Sequence, residues 1–216
     1  MNFYTKQYWI KENYKYKNVH FRLEKIAKII NMKSKKSADL LDIGCGTATL
    51  STIIREDLNY FGIDIAPHSK EPNIKELDIA NSVIQFDERK FDVIVSSGLF
   101  EYLGDKHIEK MNEISNILED RGIFIVSFSN MKHIKKPNYP SWNNSESISV
   151  FKSNLEKNFR VIDYFPAYHN TKYTEISNGF WKKLARKINI NIPVISKLWG
   201  IDFIFICTKK ENSNVN

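Results

Sequence analysis

Between Leu40 and Phe128 the chain carries five short apolar runs, and most of them stop abruptly at a glycine, an acid or a serine. That pattern restricts the possible folds more than any other feature. Leu40-Leu41-Asp42-Ile43 halts at Gly44, and Tyr60 to Ile65 ends around Asp64 with Pro67 blocking continuation. Ile74 to Ile79 is a weaker third run, Phe91 to Ser96 a clear fourth and Ile123 to Phe128 a fifth, entered by a turn at Asp120-Arg121-Gly122. Runs of this length, apolar on both faces, are buried parallel strands. Helical spacing separates them: Val19, Leu23, Ile26, Ile29 and Ile30 before the first, a start at Thr47 to Asp57 after it, and Ile108, Met111, Ile114, Ile117 and Leu118 before the fifth. Alternating strands and helices imply right-handed crossovers and a mostly parallel sheet covered on both faces.

Composition agrees with a folded core and removes several alternatives. The 216 residues are 42% hydrophobic and 26% charged, a globular rather than a disordered balance. The two cysteines, Cys45 and Cys207, are too few for a disulfide scaffold or a zinc ribbon. No apolar run reaches the ~18–20 residues of a membrane span. The opening MNFYTKQYW lacks a signal-type apolar stretch, and the expected location is cytoplasmic. Charge is divided: residues 1–39 hold ten basic and three acidic side chains, 40–131 eight and sixteen, 132–216 fourteen and six. Basic flanks would suit an anionic partner, but the plainer account is a solvated, lysine-rich surface.

Beyond Asn130 the pattern loosens. Asn130 to Asn144 is polar and reads as a loop; Ser147 to Asn158 is a helix with Ile148, Val150, Phe151 and Leu155 inward. Val161 to Phe165 and Phe203 to Cys207 are two further strands, separated by an insert at about 167–200. Within the insert, GFWKKLARKI sets Phe180, Trp181, Leu184 and Ile188 on one face. It is either a lid helix docked on the domain or a contact with an anionic membrane surface; the lid is the simpler reading. Residues 211–216 form a polar tail expected to be disordered.

The chemistry concentrates at Asp42-Ile43-Gly44-Cys45-Gly46-Thr47-Ala48. A strand feeding a glycine bend lets backbone approach a ligand closely. A second acid, Asp64, ends the next strand 22 residues after Asp42, where a carboxylate accepts ribose hydroxyls. A carboxylate inside the bend would repel a pyrophosphate and attract a cation. This selects an adenosine with a positively charged tail over a dinucleotide. Asp78 is placed to accept from an adenine amino group, and Ser96-Ser97-Gly98 ends the fourth strand beside the same crevice.

On these residues the chain resembles a class I S-adenosylmethionine-dependent methyltransferase. LLDIGCGTATLS, YFGIDIAP, ELDIAN, FDVIVSSGLFEYL and LEDRGIFIVSF carry the likeness over about residues 38–128, within the small-molecule branch. The resemblance implies S-adenosyl-L-methionine as cofactor and an α/β Rossmann-like, mostly parallel seven-stranded sheet with helices on both faces and the last strand antiparallel. It implies an amino-terminal helical arm (1–39) covering the site, ahead of a methyltransferase domain over 38–210. Asp42, Gly44, Cys45 and Gly46 would hold the methionine part and Asp64 the ribose. Ile65 would lie on the adenine, Asp78 and Ile79 at its edge, Ser96 beside the cofactor and Gly98 near the transfer point. Three departures stand out: Ala48 replaces a third glycine, Glu101-Tyr102 stands where many relatives carry a histidine, and Glu119-Asp120-Arg121-Gly122 replaces a Pro-Gly-Gly turn.

Methyl transfer from a sulfonium needs alignment and exclusion of water, with a base where the acceptor loses a proton. Glu101 is the candidate base, with a structural hydrogen-bonding role as its alternative. Tyr102 lines the pocket or packs. Aromatic residues of the arm, Tyr4, Tyr8, Trp9, Tyr14 and Tyr16, either cover the site or pack on the sheet. Of the histidines, His20 reads as structural, His68 and His107 as exposed, and His133 and His169 as solvated more than catalytic. No metal is expected. The expected acceptor is a small molecule, a sugar or other anionic metabolite. Without an Asn-Pro-Pro-Tyr signature after the fourth strand, a nucleic-acid base amine is disfavoured. A non-catalytic cofactor-binding subunit and an RNA or protein methyltransferase are the alternatives; oligomeric state is not legible.

Overall fold

The computed structural model describes residues 5–12, 18–69, 71–86, 88–130, 146–169 and 200–210. Residues 131–145, which hold all but the first position of the expected loop, the GFWKKLARKI segment, His133, Tyr4, Tyr14, Tyr16 and residues 211–216 lie outside the described residues. The elements in chain order are α1 (Lys6–Glu12), α2 (Phe21–Lys33), β1 (Asp39–Ile43), β2 (Asn59–Asp64), β3 (Ile74–Glu76), β4 (Phe91–Ser97), α3 (His107–Ile117), β5 (Leu118–Ser129), α4 (Ile148–Asn158), β6 (Phe159–His169) and β7 (Gly200–Lys209). The seven strands form one sheet in the order β3-β2-β1-β4-β5-β7-β6. β7 runs antiparallel to both neighbours, and the pairs from β3 to β5 are all parallel. This is the expected α/β architecture. No helix among the described residues is long and apolar enough to cross a membrane.

Because side chains alternate along a strand, the sheet feeds two cores, one on each face. Leu40, Val93, Val95, Ile125, Ile204 and Ile206 meet Ile26, Ile29 and Ile30 of α2. Leu41, Ile43, Ile94, Phe124 and Val126 pack on the other face with Met111 and Ile114 of α3 and Phe151 and Leu155 of α4. There Phe128 stacks on Phe151 with centroids 4.0 Å apart, an arrangement that adds about 0.5–1.5 kcal/mol beyond burial. Ser147 caps α4, its hydroxyl accepting from Val150 N. Three expected inward positions are exposed instead: Val19 ahead of α2, Val150 at the first turn of α4 and Ile108 at the first turn of α3.

Three local expectations are corrected. Thr47 to Asp57 makes only a short 3-10 turn, Thr49–Thr52. Ala48 is left-handed (φ 55°, ψ 27°), and the Ser51 and Thr52 hydroxyls bond the Ala48 and Thr49 carbonyls, competing with helical pairing. The third strand ends at Glu76, because Asp78 folds the chain into a turn that takes Ala80 N and Asn81 Nδ2 on its carboxylate. Residues 119–122 lie inside β5 as an irregularity against β4, whose register jumps between Phe91 and Val93, rather than as a turn ahead of the strand.

Candidate active site

The strand order reverses between β1 and β4: the chain runs outward through β2 and β3, then returns to β4. Such a switch point opens a crevice at the carboxyl ends of the strands. The bend after β1 sits there. Gly44 (φ 80°) and Gly46 (φ 54°) adopt left-handed backbone, and Gly44 N and Cys45 N both donate to Ile63 O of β2. Asp64 joins this bend to the next loop: Oδ2 accepts Gly46 N at 2.9 Å and Oδ1 accepts Ala66 N at 2.8 Å. Each carboxylate oxygen has two acceptor sites, so this clamp and a ribose contact are compatible.

Asp42 is more enclosed than a carboxylate at an open mouth. It is 4% exposed and accepts Tyr60 OH at 2.8 Å. Burial pushes its pKa up to about 7, the Tyr60 hydroxyl pulls it down and the Asp64 charge raises it further. Cys45 turns its thiol into the core, where a Cβ on Gly62 would stand 2.8 Å from Sγ. Burial holds that thiol protonated, so its contribution to a ligand is its backbone. Gly62, which no sequence signal singled out, is thus needed for the bend to pack on β2. The Ile65 and Ile79 side chains are buried in the core, and Asp78 is half-buried with both oxygens in its local turn.

Across the crevice Ser96 is fully buried, and its hydroxyl has no hydrogen-bond partner among the described residues. Gly98 (φ 72°) follows; its N–H donates to Ser127 Oγ at 2.9 Å. A Cβ there would lie 2.6 Å from Arg22 Nη2, so the guanidinium from α2 lies directly against the expected transfer point. Arg22 was not singled out from sequence because its helix position alone reads as a basic outer face. Its Nη1 pairs with Asp202 Oδ2 at 3.1 Å.

Glu101, the candidate base, lies in a 3-10 turn, Phe100–Tyr102, just past Gly98. It is 1% exposed; its Oε1 accepts Ser129 N at 2.9 Å and lies 2.8 Å from Ser129 Oγ. Burial raises its pKa, Arg22 lowers it and Asp202 raises it. The arm crosses the same rim. Lys6 of α1 pairs with Glu76 at the end of β3, and Trp9 packs edge-on against Tyr102 at 5.0 Å. His107, expected to be exposed, is buried, with Nδ1 2.6 Å from Gly104 O and Nε2 near Glu146 and Asn154. His20 caps α2, and His68 is exposed as expected. The described residues hold no cluster of potential metal ligands.

These features fit an adenosine-type cofactor with a charged tail: a backbone cradle at two left-handed glycines, an acid on the second strand and an orphaned hydroxyl at Ser96. The architecture defines the class I methyltransferase group. The chain belongs to the methyltransferase domain family, whose model matches residues 13–189, and this bears out the sequence expectation of an S-adenosylmethionine-dependent methyltransferase with that cofactor. An uncharacterized protein of Methanocaldococcus jannaschii is 32% identical over 170 residues, covering 76% of this chain and 60% of that protein. The ubiquinone biosynthesis O-methyltransferase of Pelagibacter ubique is 28% identical over 144 residues, 56% of this chain and 60% of its own length. The chain thus spans 60% of the length of each of these two relatives. A Haloferax volcanii methyltransferase solved in complex with the Trm112 methyltransferase activator superposes with a TM-score of 0.69 at 14% identity, over 99% of this chain and 98% of that one.

Proposed function

We propose that this protein transfers the methyl group of S-adenosylmethionine to a small-molecule acceptor. When bound, the cofactor supplies a sulfonium-activated methyl group. On this reading the Gly44–Gly46 backbone receives the methionine part, with Asp42 near its ammonium. Asp64 takes the ribose hydroxyls, Ile65 lies against the adenine, and Asp78 and the Ile79 backbone meet its edge. Ser96 fills its hydrogen-bonding deficit beside the cofactor, and Gly98 leaves room for the Arg22 guanidinium beside the transfer point.

The observation that carries the small-acceptor reading is the path of α1. Its Lys6 is tied to the end of β3 and its Trp9 to Tyr102 after β4, and on this reading the helix straps the crevice between them. A strap at that level excludes water from the reacting atoms and limits the size of what enters. The likeness to an O-methyltransferase of ubiquinone biosynthesis supports the same class of acceptor.

Isothermal titration tests the cofactor half: S-adenosylhomocysteine should bind and NAD should not. Labelled S-adenosylmethionine, offered with a small-metabolite fraction, with RNA and with protein, tests the acceptor half. Label confined to RNA or protein would overturn the small-acceptor reading. Binding without any transfer would leave a cofactor-binding subunit.

A further inference from the structure

The end of β5 holds one more hydrogen bond than its hydroxyl hydrogens allow. Ser129 Oγ lies 2.8 Å from Glu101 Oε1 and 2.5 Å from Asp202 Oδ1. A serine hydroxyl has a single hydrogen. With both carboxyl groups ionised, one of these contacts would set lone pair against lone pair. Both are satisfied only when one carboxyl carries a proton. Asp202 takes the Arg22 guanidinium on its other oxygen, which holds Asp202 as the anion. Glu101 has no cation bonded to it among the described residues and is almost wholly buried, so the extra proton belongs to Glu101. The charged or titratable groups facing Glu101 are Arg22 from α2 and Asp202 from β7, with the Ser129 hydroxyl from β5. The order is therefore Glu101 carboxyl to Ser129 hydroxyl to Asp202 carboxylate.

The near end of this chain is unpartnered. Glu101 Oε2 is buried without a hydrogen-bond partner among the described residues, a deficit that a ligand's donor would fill. Glu101 is three residues beyond Gly98, against which Arg22 also rests. Arg22 and Asp202 neutralise each other, and a protonated Glu101 adds no charge. An ammonium gains little from such a site, whereas a neutral hydroxyl finds an acceptor.

Resting on the function proposed above, we propose that the acceptor is a neutral hydroxyl that donates to Glu101 Oε2, and that Glu101, Ser129 and Asp202 carry its proton away. As the acceptor oxygen bonds to the methyl carbon, the carbon–sulfur bond breaks and its electron pair stays on sulfur. The acceptor proton passes to Glu101 Oε2, the proton on Oε1 passes to Ser129 Oγ, and the original Ser129 proton passes to Asp202 Oδ1. Glu101 ends neutral, Ser129 ends as a hydroxyl, and one proton rests on Asp202 for release to solvent. Glu101 is the catalytic residue here; Ser129 and Asp202 act through it.

Infrared difference spectroscopy on the full chain with S-adenosylhomocysteine locates the proton without any acceptor. A carbonyl band of a buried, protonated carboxylic acid should be present at neutral pH, disappear in Glu101→Gln and shift in Ser129→Ala. Its absence would overturn the proposal. Methyl transfer is then measured on a panel of simple phenols, sugars and amines. Ser129→Ala should slow hydroxyl methylation on the order of 10²-fold, the scale of proton-transfer catalysis, with unchanged S-adenosylhomocysteine affinity. Ser129→Thr should restore the rate. Wild-type turnover in Ser129→Ala, or methylation of amines alone, would sink the relay and leave the methyltransferase reading standing. Cofactor binding with no transfer to any acceptor class would instead sink that reading.

Discussion

Two pairs of buried acids stand at the same rim of the sheet and are held in opposite ways. Asp42 and Asp64 belong to the β1–β2 side and find their partners close in sequence: Tyr60 for one, Gly46 N and Ala66 N for the other. Glu101 and Asp202 belong to the β4–β5–β7 side and meet through Ser129, 28 and 73 positions away, with Arg22 a further 180 from Asp202. On the proposed reading, the first pair builds a cofactor cradle from backbone and the second a proton-handling network from side chains. A ligand's unvarying part is best read by a local, rigid motif, because backbone N–H groups fixed by a tight bend lose no side-chain entropy on binding.

If that division is right, the largest effect of any single change should fall on the first pair. Asp64→Ala removes two hydrogen bonds to a charged group, each worth roughly 1.5–3 kcal/mol. S-adenosylhomocysteine affinity measured by titration should therefore fall on the order of 10²-fold. Unchanged affinity would refute the ribose assignment.

The next effect separates the pairs by pH. The Asp42 pKa is raised from 3.8 to about 7 in the folded protein, so its protonated form is favoured there. Its contribution to stability is complete below about pH 4 and is lost as pH rises through about 7. A bound ammonium favours the ionised form instead. Binding of S-adenosylhomocysteine should release a proton below about pH 7, with affinity rising toward that pH by up to about tenfold per unit. Titration in buffers of different ionisation enthalpy reads the released proton. Tyr60→Phe removes a bond that lowers this pKa and should move the midpoint upward.

Smaller effects test backbone geometry on each side. Gly98→Ala places a Cβ 2.6 Å from Arg22 Nη2 at φ 72° and should destabilise by about 1–2 kcal/mol, with the Arg22–Asp202 pair displaced. Ala48→Gly should do the reverse. It relieves a left-handed alanine and should stabilise by about 0.5–1 kcal/mol, a rise in melting temperature of about 1–4 °C. A destabilised Ala48→Gly would show that the turn draws more from the alanine methyl than it loses in strain.

The legible parts of this molecule were those whose physics is local. Apolar runs gave β1, β2, β4 and the α/β class. Asp42, the glycine bend and Asp64 were readable because a strand, a bend and an acid at fixed spacing form one connected device. The short 3-10 turn after Ala48 was not readable, since it depends on competition between hydroxyls and backbone for the same carbonyls. Nor was the buried state of His107, which owes its place to Gly104, Asn154 and Glu146.

What the sequence by itself determined is the parallel sheet, the position of its crevice and the kind of ligand a glycine bend with two acids receives. Only tertiary structure decided that Asp42 is shielded by Tyr60, that Arg22 rests on Gly98, and that Ser129 is shared by Glu101 and Asp202. The reason is dielectric and geometric at once. A carboxyl group's proton depends on which charges and donors the fold brings within a few ångströms and on how much water it removes, and neither is written in the spacing of residues along the chain.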